Sequence, residues 1–227
     1  MPYFTQAVLR QKAARKQKYW DLTSNGYRAH RLVWSLFGDH PDRDRDFVYR
    51  WDTGGRRPCL RVVSERRPED RWDLFHLRTK EYDPALAEGQ RLAFSLRANT
   101  VVKKWHEDGK QRAHDVVMNA KWEMRQNGTW EDCDLTHAQL VQREGKKWLA
   151  KRTGQYGFEL PERQVQAEGH QKHSFEKPDG GHQVTFVTMD LTGRLRVADP
   201  ETFRESLLQG IGPTKAYGCG LILVRPA

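Results

Sequence analysis

The alternation of hydrophobic and polar residues divides the first half of the chain into short strands around one amphipathic helix. Strand-like alternation occurs at four places: residues 3–9, 47–52, 59–64 and 73–82. We expect the second and third to pair across a turn that contains Gly54 and Gly55. Residues 26–37 have helical spacing, which predicts a helix that ends at Gly38. Thr23, Ser24 and Asn25 offer N-caps for that helix.

The second half of the chain predicts strands and helices in alternation. We expect a strand at residues 91–104, a strand pair at 182–197 that breaks at Gly193, and a last strand at 221–224. The pattern Thr136-His-Ala-Gln139 is a capping box that begins a helix running to about Arg152. Asp199-Pro200 begins the final helix. We interpret the polar residues 106–114 as a turn and the polar residues 161–182 as a loop.

This order of elements predicts an α+β protein of two tandem ferredoxin-like units, the split-βαβ arrangement that RNA-recognition modules share. We place the first unit at residues 1–88 and the second at 89–227. The two halves show no sequence repeat, so the duplication is inferred from the order of elements alone.

Composition adds a preference for an anionic partner. The 227 residues include 39 Lys and Arg against 30 Asp and Glu, a formal net charge of +9. That balance favours nucleic acid over an anionic membrane surface. No apolar run approaches the length of a membrane span, and the first residues lack the apolar core of a signal peptide. Three distant cysteines, Cys59, Cys133 and Cys219, fit reduced thiols, so we expect a cytoplasmic protein.

The first predicted helix carries the candidate chemistry. On a helical wheel, Tyr27, His30 and Trp34 fall within about 60° of one another, beside the apolar face. Histidine suits proton transfer near neutral pH. Once deprotonated, an RNA 2′-hydroxyl can attack the neighbouring phosphate. The reaction needs a base, a proton for the leaving 5′-oxygen and hydrogen-bond donors for the negatively charged phosphorane, and it requires no metal. The alternative is a structural histidine at a helix edge.

A metal-dependent route has little support in the sequence, which contains neither an HExxH motif nor clustered acids of the two-metal type. His170 and His173 form an HxxH pair, but in a polar segment without an evident third ligand. We therefore expect no metal and no cofactor.

Two further segments are candidates for RNA contact. Residues 210–220 contain Gly210, Gly212, Gly218 and Gly220 around Lys215, which is neither a Walker A nor a Rossmann pattern. This segment could approach a phosphate, or it could be only a turn that lets the last strand dock. On the helix at 136–152, Arg143, Lys147 and Lys151 form a stripe flanked by Lys146 and Arg152. The stripe could follow an RNA backbone or be a solvated helix face.

Three blocks together resemble one known family, the CasE-type CRISPR endoribonucleases of type I-E systems. The first block is Tyr27-x-x-His30-x-x-x-Trp34-x-Leu36-Phe37 with Pro41 and Arg45-Asp46-Phe47. The second is Leu96-Arg97-Ala98-Asn99, and the third is Gln209-Gly-Ile-Gly-Pro-x-Lys215-x-x-Gly218-Cys-Gly220-Leu221. The blocks occur in the family's order across nearly the whole chain.

The resemblance implies two ferredoxin-like domains and cleavage of CRISPR repeat RNA at the base of its stem-loop. It implies a metal-independent reaction that leaves a 2′,3′-cyclic phosphate and a 5′-hydroxyl, and retention of the product within the Cascade complex. The family's catalytic histidine falls on His30 and its assisting tyrosine on Tyr27, while its glycine-rich loop falls on residues 210–220. The basic segment Arg10–Lys18 is longer than the family's pattern predicts.

Charge and position suggest further roles. We assign Arg31 and Lys215 to the scissile phosphate, and Lys147, Lys151 and Arg152 to the RNA stem. Whether His30 acts as base or acid stays open. The main alternative is a non-catalytic RNA-binding module of RRM-like fold, in which Tyr27 and Trp34 stack on bases. A second alternative is an enzyme whose glycine-rich loop holds a nucleotide.

Overall fold

A computed structural model of the chain describes residues 1–15, 26–38, 44–52, 57–129, 134–161, 165–176 and 182–227. Over these ranges the chain forms two antiparallel sheets, a separate hairpin and four α-helices. None of the helices in this part of the chain has the length and apolarity needed to span a bilayer.

The first sheet has the strand order of a ferredoxin-like unit. Its strands are β1 (Tyr3–Leu9), β2 (Phe47–Asp52), β3 (Cys59–Ser64) and β4 (Phe75–Glu81). They lie in the order β2-β3-β1-β4 and every pair is antiparallel. Helix α1 (Gly26–Ser35) packs on this sheet. The segment 65–74 between β3 and β4 contains no helix, so the unit lacks the second helix of the fold.

The second sheet repeats the same order with additions. Its strands are β5 (Arg91–Ala98), β8 (Phe158–Glu159), β9 (Val165–Glu176), β10 (Gln183–Val197) and β11 (Ile222–Pro226). β11, β5 and β10 are consecutive neighbours, and β9 and β8 both pair with β10.

The helices of this second unit are α3 (His137–Ala150) and α4 (Pro200–Gln209). An insertion between β5 and α3 contains the hairpin of β6 (Val101–Trp105) and β7 (Gln111–Asp115), followed by helix α2 (Val116–Gln126).

Each sheet has its own apolar core, and a smaller cluster joins the two. Val33, Leu36 and Phe37 pack α1 onto the first sheet, while Trp148 is the largest fully buried side chain of the second core. The joining cluster contains Val48 and Val63 from the first sheet and Leu221 from the second unit. Helix α4 also contacts β2 and β3. The two sheets are therefore packed together through the face of the first sheet that α1 does not cover.

Several predicted elements are confirmed. The strands at residues 3–9, 47–52 and 59–64 have the predicted ends, and the strand predicted at 73–82 spans 75–81. The capping box at Thr136 is present, since Gln139 N–H donates to Thr136 Oγ1 and Thr136 N–H donates to Gln139 Oε1.

Other predictions are wrong, and long-range pairing explains why. The predicted loop at 161–182 contains β9, a polar strand whose hydrogen bonds are completed by β10. β10 itself is continuous through Gly193, which lies opposite Phe94 in the centre of the sheet. The predicted strand at 91–104 is two strands, β5 and β6. The turn predicted at 106–114 includes most of β7, and helix α2 was not predicted at all.

Some expectations fall outside the described residues: the N-caps Thr23, Ser24 and Asn25, the turn at Gly54 and Gly55, Pro41, Cys133 and the basic residues after Arg15. Cys59 and Cys219 are buried free thiols. The division of the chain at residues 88 and 89 stays a prediction.

Candidate active site

His30 lies on α1 at the junction of the two units. The apolar side chains of α1 face the first core, which leaves the His30 ring half-buried at the helix edge. Trp34, one turn later, donates a hydrogen bond from Nε1 to His30 Nε2 over 2.9 Å. The ring of Tyr217 from the second unit meets the imidazole edge-on, with 5.9 Å between ring centroids. His30 is therefore held by side chains from both halves of the chain.

Tyr217 is presented by the glycine-rich loop of residues 210–220. The segment Lys215–Tyr217 forms a single 3-10 turn that contacts α1 and β2. The phenol of Tyr49, on β2, donates a hydrogen bond to the Ala216 carbonyl over 2.8 Å. Burial raises the pKa of Tyr49 well above its usual range, so this phenol keeps its proton. The first unit thus anchors the loop of the second next to His30.

The position where the two ends of this loop meet, Gly220, requires glycine. The Ile211 N–H donates to the Gly220 carbonyl over 2.8 Å, and the Gly220 N–H donates to the Arg97 carbonyl over 2.8 Å. Gly220 has a φ of +96°, and a Cβ there would lie 2.9 Å from the Ile211 carbonyl oxygen. Only glycine combines this backbone conformation with so close an approach.

The mid-chain motif supports the same loop. Thr214 has a φ of +63°, which is uncommon for a residue with a branched Cβ. Asn99 Nδ2 donates to the Thr214 hydroxyl over 2.5 Å. Arg97 makes two hydrogen bonds to Asp190, of 2.9 and 2.8 Å, and a third to the Trp51 carbonyl over 2.9 Å. Arg97 and Asn99 therefore join the glycine-rich loop to β10 and to the first sheet.

A cleft of about 620 Å³ opens beside α1 between the two units. Aromatic rings line one part of it: Phe186 stacks on Tyr217 at 5.5 Å and on His173 at 5.0 Å. Lys172 contributes a cationic group, whereas the charge of Arg97 is paired with Asp190, which lines the same cleft. Burial, with a further effect of the Arg97 charge, lowers the pKa of His173, which favours the neutral imidazole near pH 7.

Two cations stand close together at the loop. Burial lowers the pKa of Lys215, and the positive charge of Arg45 lowers it further. Arg45 lies just before β2, and desolvation lowers its own pKa. Two like charges that are partly removed from water favour an anion between or beside them.

The predicted site residues separate into two groups. The residues around the junction are His30, Tyr27, Gly210, Lys215, Gly218 and Gly220. Gly212 packs against Trp148 of the second core, and Arg31 is exposed on α1. Lys147 and Lys151 are on or just after α3, and they line a different groove, together with Arg152. The groove and the cleft beside α1 share no lining residue. Arg152 is also engaged within the protein, since it donates to the Trp148 carbonyl over 2.9 Å.

His170 and His173 contact different residues and do not form a joint site. His170 Nε2 lies 3.1 Å from the carboxylate of Asp115, and His173 Nε2 lies 2.8 Å from the Thr188 hydroxyl. Both histidines belong to β9 rather than to a loop. In the described ranges, no group of three His, Cys, Asp or Glu residues is arranged to hold a metal ion.

Sequence reasoning missed the residues that complete the site from a distance. Tyr217, Tyr49 and Arg45 were not assigned roles, although Tyr217 lies within the glycine-rich block and Arg45 within the first block of the resemblance. The spacing of hydrophobic positions carries no signal for the contact between Tyr217 and His30, because it joins two units of the fold.

Comparisons with known proteins agree on one family. The family model described as CRISPR associated protein matches residues 2–226. A curated relative from Escherichia coli K12, named CRISPR system Cascade subunit CasE, is 24% identical over 202 residues, which cover 88% of this chain and 92% of the relative. The CRISPR-associated endoribonuclease Cse3 of Thermus thermophilus is 34% identical over 157 residues, 65% of this chain and 61% of that protein.

A solved structure of CRISPR endoribonuclease Cse3 bound to a 19-nucleotide RNA superimposes with a TM-score of 0.71 and 26% identity, and the match covers 100% of both chains. The agreement extends over the whole fold, so the α+β architecture of two tandem ferredoxin-like domains is confirmed. The chain belongs to the family of CRISPR-associated proteins that includes the CasE and Cse3 endoribonucleases.

Proposed function

We propose that this protein is an endoribonuclease that cuts CRISPR repeat RNA at the base of its stem-loop, without a metal ion, and keeps the mature crRNA as a subunit of Cascade. The observation that carries the proposal is the junction itself. A histidine on α1 meets the glycine-rich loop of the other domain beside a cleft with cationic and aromatic lining. Likeness to Cse3 bound to RNA and to the Cascade subunit CasE supports the same substrate and partners.

The chemistry proposed for the site is transesterification by the RNA itself. His30 moves the proton of the 2′-hydroxyl or of the leaving 5′-oxygen, and Tyr27 orients the phosphate. Arg31, Lys215 and Arg45 supply positive charge for the phosphorane, whose negative charge exceeds that of the ground state. The products are a 2′,3′-cyclic phosphate and a 5′-hydroxyl. No step in this scheme requires a metal-bound water.

RNA binding is proposed to use two surfaces. The first is the glycine-rich loop, in which Gly210, Gly212, Gly218 and Gly220 permit the turns that present Lys215 to the scissile phosphate. The glycines themselves pack inside the protein, against Val48, Trp148, Tyr49 and Ile211. Lys147 and Lys151 offer positive charge to the stem on the face of α3. Arg152 is a weaker candidate for this role because its guanidinium already binds backbone carbonyls.

We infer a cytoplasmic location because the proposed substrate is an RNA transcript of the host cell. The buried free thiols Cys59 and Cys219 are compatible with a reducing compartment.

The deciding experiment is cleavage of a hairpin RNA from the host's own repeat, with analysis of the product ends. We expect cleavage in excess EDTA, cyclic phosphate at the new 3′ end, and no cleavage when the nucleotide before the cut is 2′-deoxy. Binding of every RNA without cleavage would favour the non-catalytic RRM-like module instead. Cleavage that stops in EDTA and returns with Mg²⁺ would contradict the metal-independent chemistry.

A further inference from the structure

The hydrogen bond between Trp34 and His30 constrains the protonation of the imidazole. The indole Nε1–H is a donor and has no acceptor capacity, and it points at His30 Nε2 over 2.9 Å. A ring nitrogen that accepts a hydrogen bond carries a lone pair and no proton. In this geometry the imidazole is therefore neutral, and its proton is on Nδ1.

We propose that Trp34 is a positioning residue that holds His30 as the neutral Nδ1–H tautomer, with Nε2 as the nitrogen that accepts the proton of the 2′-hydroxyl. The proposal rests on the proposed function and deepens it, because it assigns His30 to the base role and names the atom. An imidazolium has N–H donors on both nitrogens, so protonation of Nε2 would set two donors against each other. Trp34 therefore opposes protonation of Nε2.

The indole is held firmly enough to direct its N–H. It packs edge-on against Phe47 with 5.1 Å between ring centroids, and it meets the His30 ring at 84°. Trp34 is half-buried against the first core. Packing therefore directs the indole N–H at His30 Nε2 when no substrate is bound.

The proposed step exchanges one donor for another at Nε2. The substrate 2′-hydroxyl displaces the indole N–H and donates to the same lone pair. Its O–H bond breaks as an N–H bond forms on Nε2, and the oxygen electron pair attacks phosphorus. The P–O5′ bond then breaks with its electron pair on the 5′-oxygen, which takes a proton from the imidazolium or from water.

Other charged and titratable groups also surround His30, so the test must isolate the indole. Tyr27 and Arg31 lie on α1 itself, and Lys215 and Tyr217 belong to the loop packed against it. Arg45 lies just before β2 and Tyr49 lies within it, and β2 contacts the same loop. The Trp34→Phe variant leaves all of these groups unchanged and removes the N–H donor, although it also replaces the indole by a smaller aromatic ring.

The matched control is Phe47→Leu. This variant loosens the packing around the indole but leaves its N–H in place. Thermal unfolding of both variants shows whether each is folded. If Trp34→Phe does not fold, Trp34→Met removes the same donor with a side chain that adapts to irregular space, and it takes the place of Trp34→Phe in the titration.

The measurement is a pH titration of the full-length protein labelled with ¹⁵N in histidine, with His30 identified by comparison with His30→Ala. We expect the Nδ1–H tautomer above the His30 pKa. In Trp34→Phe we expect a shift toward Nε2–H and a rise of roughly 0.5 to 1 pH unit in the titration midpoint, the equivalent of one net neutral hydrogen bond. The rising limb of the cleavage pH profile should move with it, and Phe47→Leu, which keeps the donor, should shift both by clearly less than Trp34→Phe does.

An Nε2–H tautomer in the unaltered protein, or identical titrations of the protein and Trp34→Phe, would overturn the proposal. Failure of the proposed function is separate, since it would appear as RNA binding without cleavage, or as normal cleavage by His30→Ala, while the spectra still report the tautomer.

Discussion

The two ferredoxin-like domains share a strand order but differ in what surrounds their sheets. The first lacks a helix between β3 and β4 and has α1 as its helical cover. The second has both helices and adds a hairpin and α2 between β5 and α3. The first contributes a histidine on a helix, and the second contributes a glycine-rich loop after its last helix.

The difference indicates how the site is assembled. The face of the first sheet opposite α1 is covered by the second domain, through α4 and the cluster of Val48, Val63 and Leu221. That packing brings the loop after α4 to the edge of α1, where Tyr217 meets His30. Neither domain contains the candidate site alone. Substitutions at the junction, in either domain, should therefore change the cleavage rate, whereas substitutions away from it should change RNA binding.

The largest expected effect on cleavage comes from substitution of His30 in the first domain. His30→Ala should reduce cleavage of the repeat hairpin by roughly two to four decades, the reduction typical of removing a general acid–base group, while RNA binding persists. Single-turnover cleavage and a binding titration measure the two effects. His76→Ala, an exposed histidine on β4, is the control and should cleave normally. Loss of binding with intact cleavage of bound RNA would contradict the assignment.

The next effect tests the second domain's contribution. Tyr217→Ala removes the ring that packs on His30 and should slow cleavage by roughly tenfold to a hundredfold through misplacement of the imidazole. Tyr217→Phe keeps the ring and should retain most of the rate. Equal rates for Tyr217→Ala and the unaltered protein would mean that the first domain positions His30 without help.

A smaller effect is expected on the stability of the loop. Gly220→Ala places a Cβ 2.9 Å from the Ile211 carbonyl oxygen at a φ of +96°. We expect a decrease of about 1–3 kcal/mol in the free energy of unfolding, measured by urea denaturation. Gly109→Ala is the matched control, because it also has a positive φ but nothing within 4 Å of its Cβ. Equal decreases in both variants would assign the cost to the backbone alone.

The smallest effect is expected at α3, away from the junction. Replacing Lys147 and Lys151 together by Ala should weaken RNA binding and reduce the slope of log affinity against log salt by about one for each phosphate that these lysines neutralise. The cleavage rate of bound RNA should not change, because their groove is separate from the cleft beside α1. Lys80→Ala, an exposed lysine on β4, serves as control. An unchanged salt slope would identify this stripe as a solvated helix face.

Much of the fold was predictable because local spacing carries it. The helix with His30, the strands β1 to β4 and the capping box at Thr136 each depend on residues close in the chain. By contrast, β9 is a strand mainly because β10 completes its hydrogen bonds, and its polar sequence gives no periodic signal. The order of elements was enough to predict the ferredoxin-like class despite these errors.

The sequence by itself determined that an imidazole would stand on the first helix and that a glycine-rich, lysine-bearing loop would precede the last strand. Periodicity and backbone freedom at glycine are properties of neighbouring residues, so no knowledge of the fold was needed for either. Only the tertiary structure decided that Tyr217 and Trp34 hold His30, that Tyr49 and Asn99 anchor the loop, and that Lys147 lies in a separate groove. These relations depend on how one domain packs against the other and on side-chain directions, which local spacing does not specify.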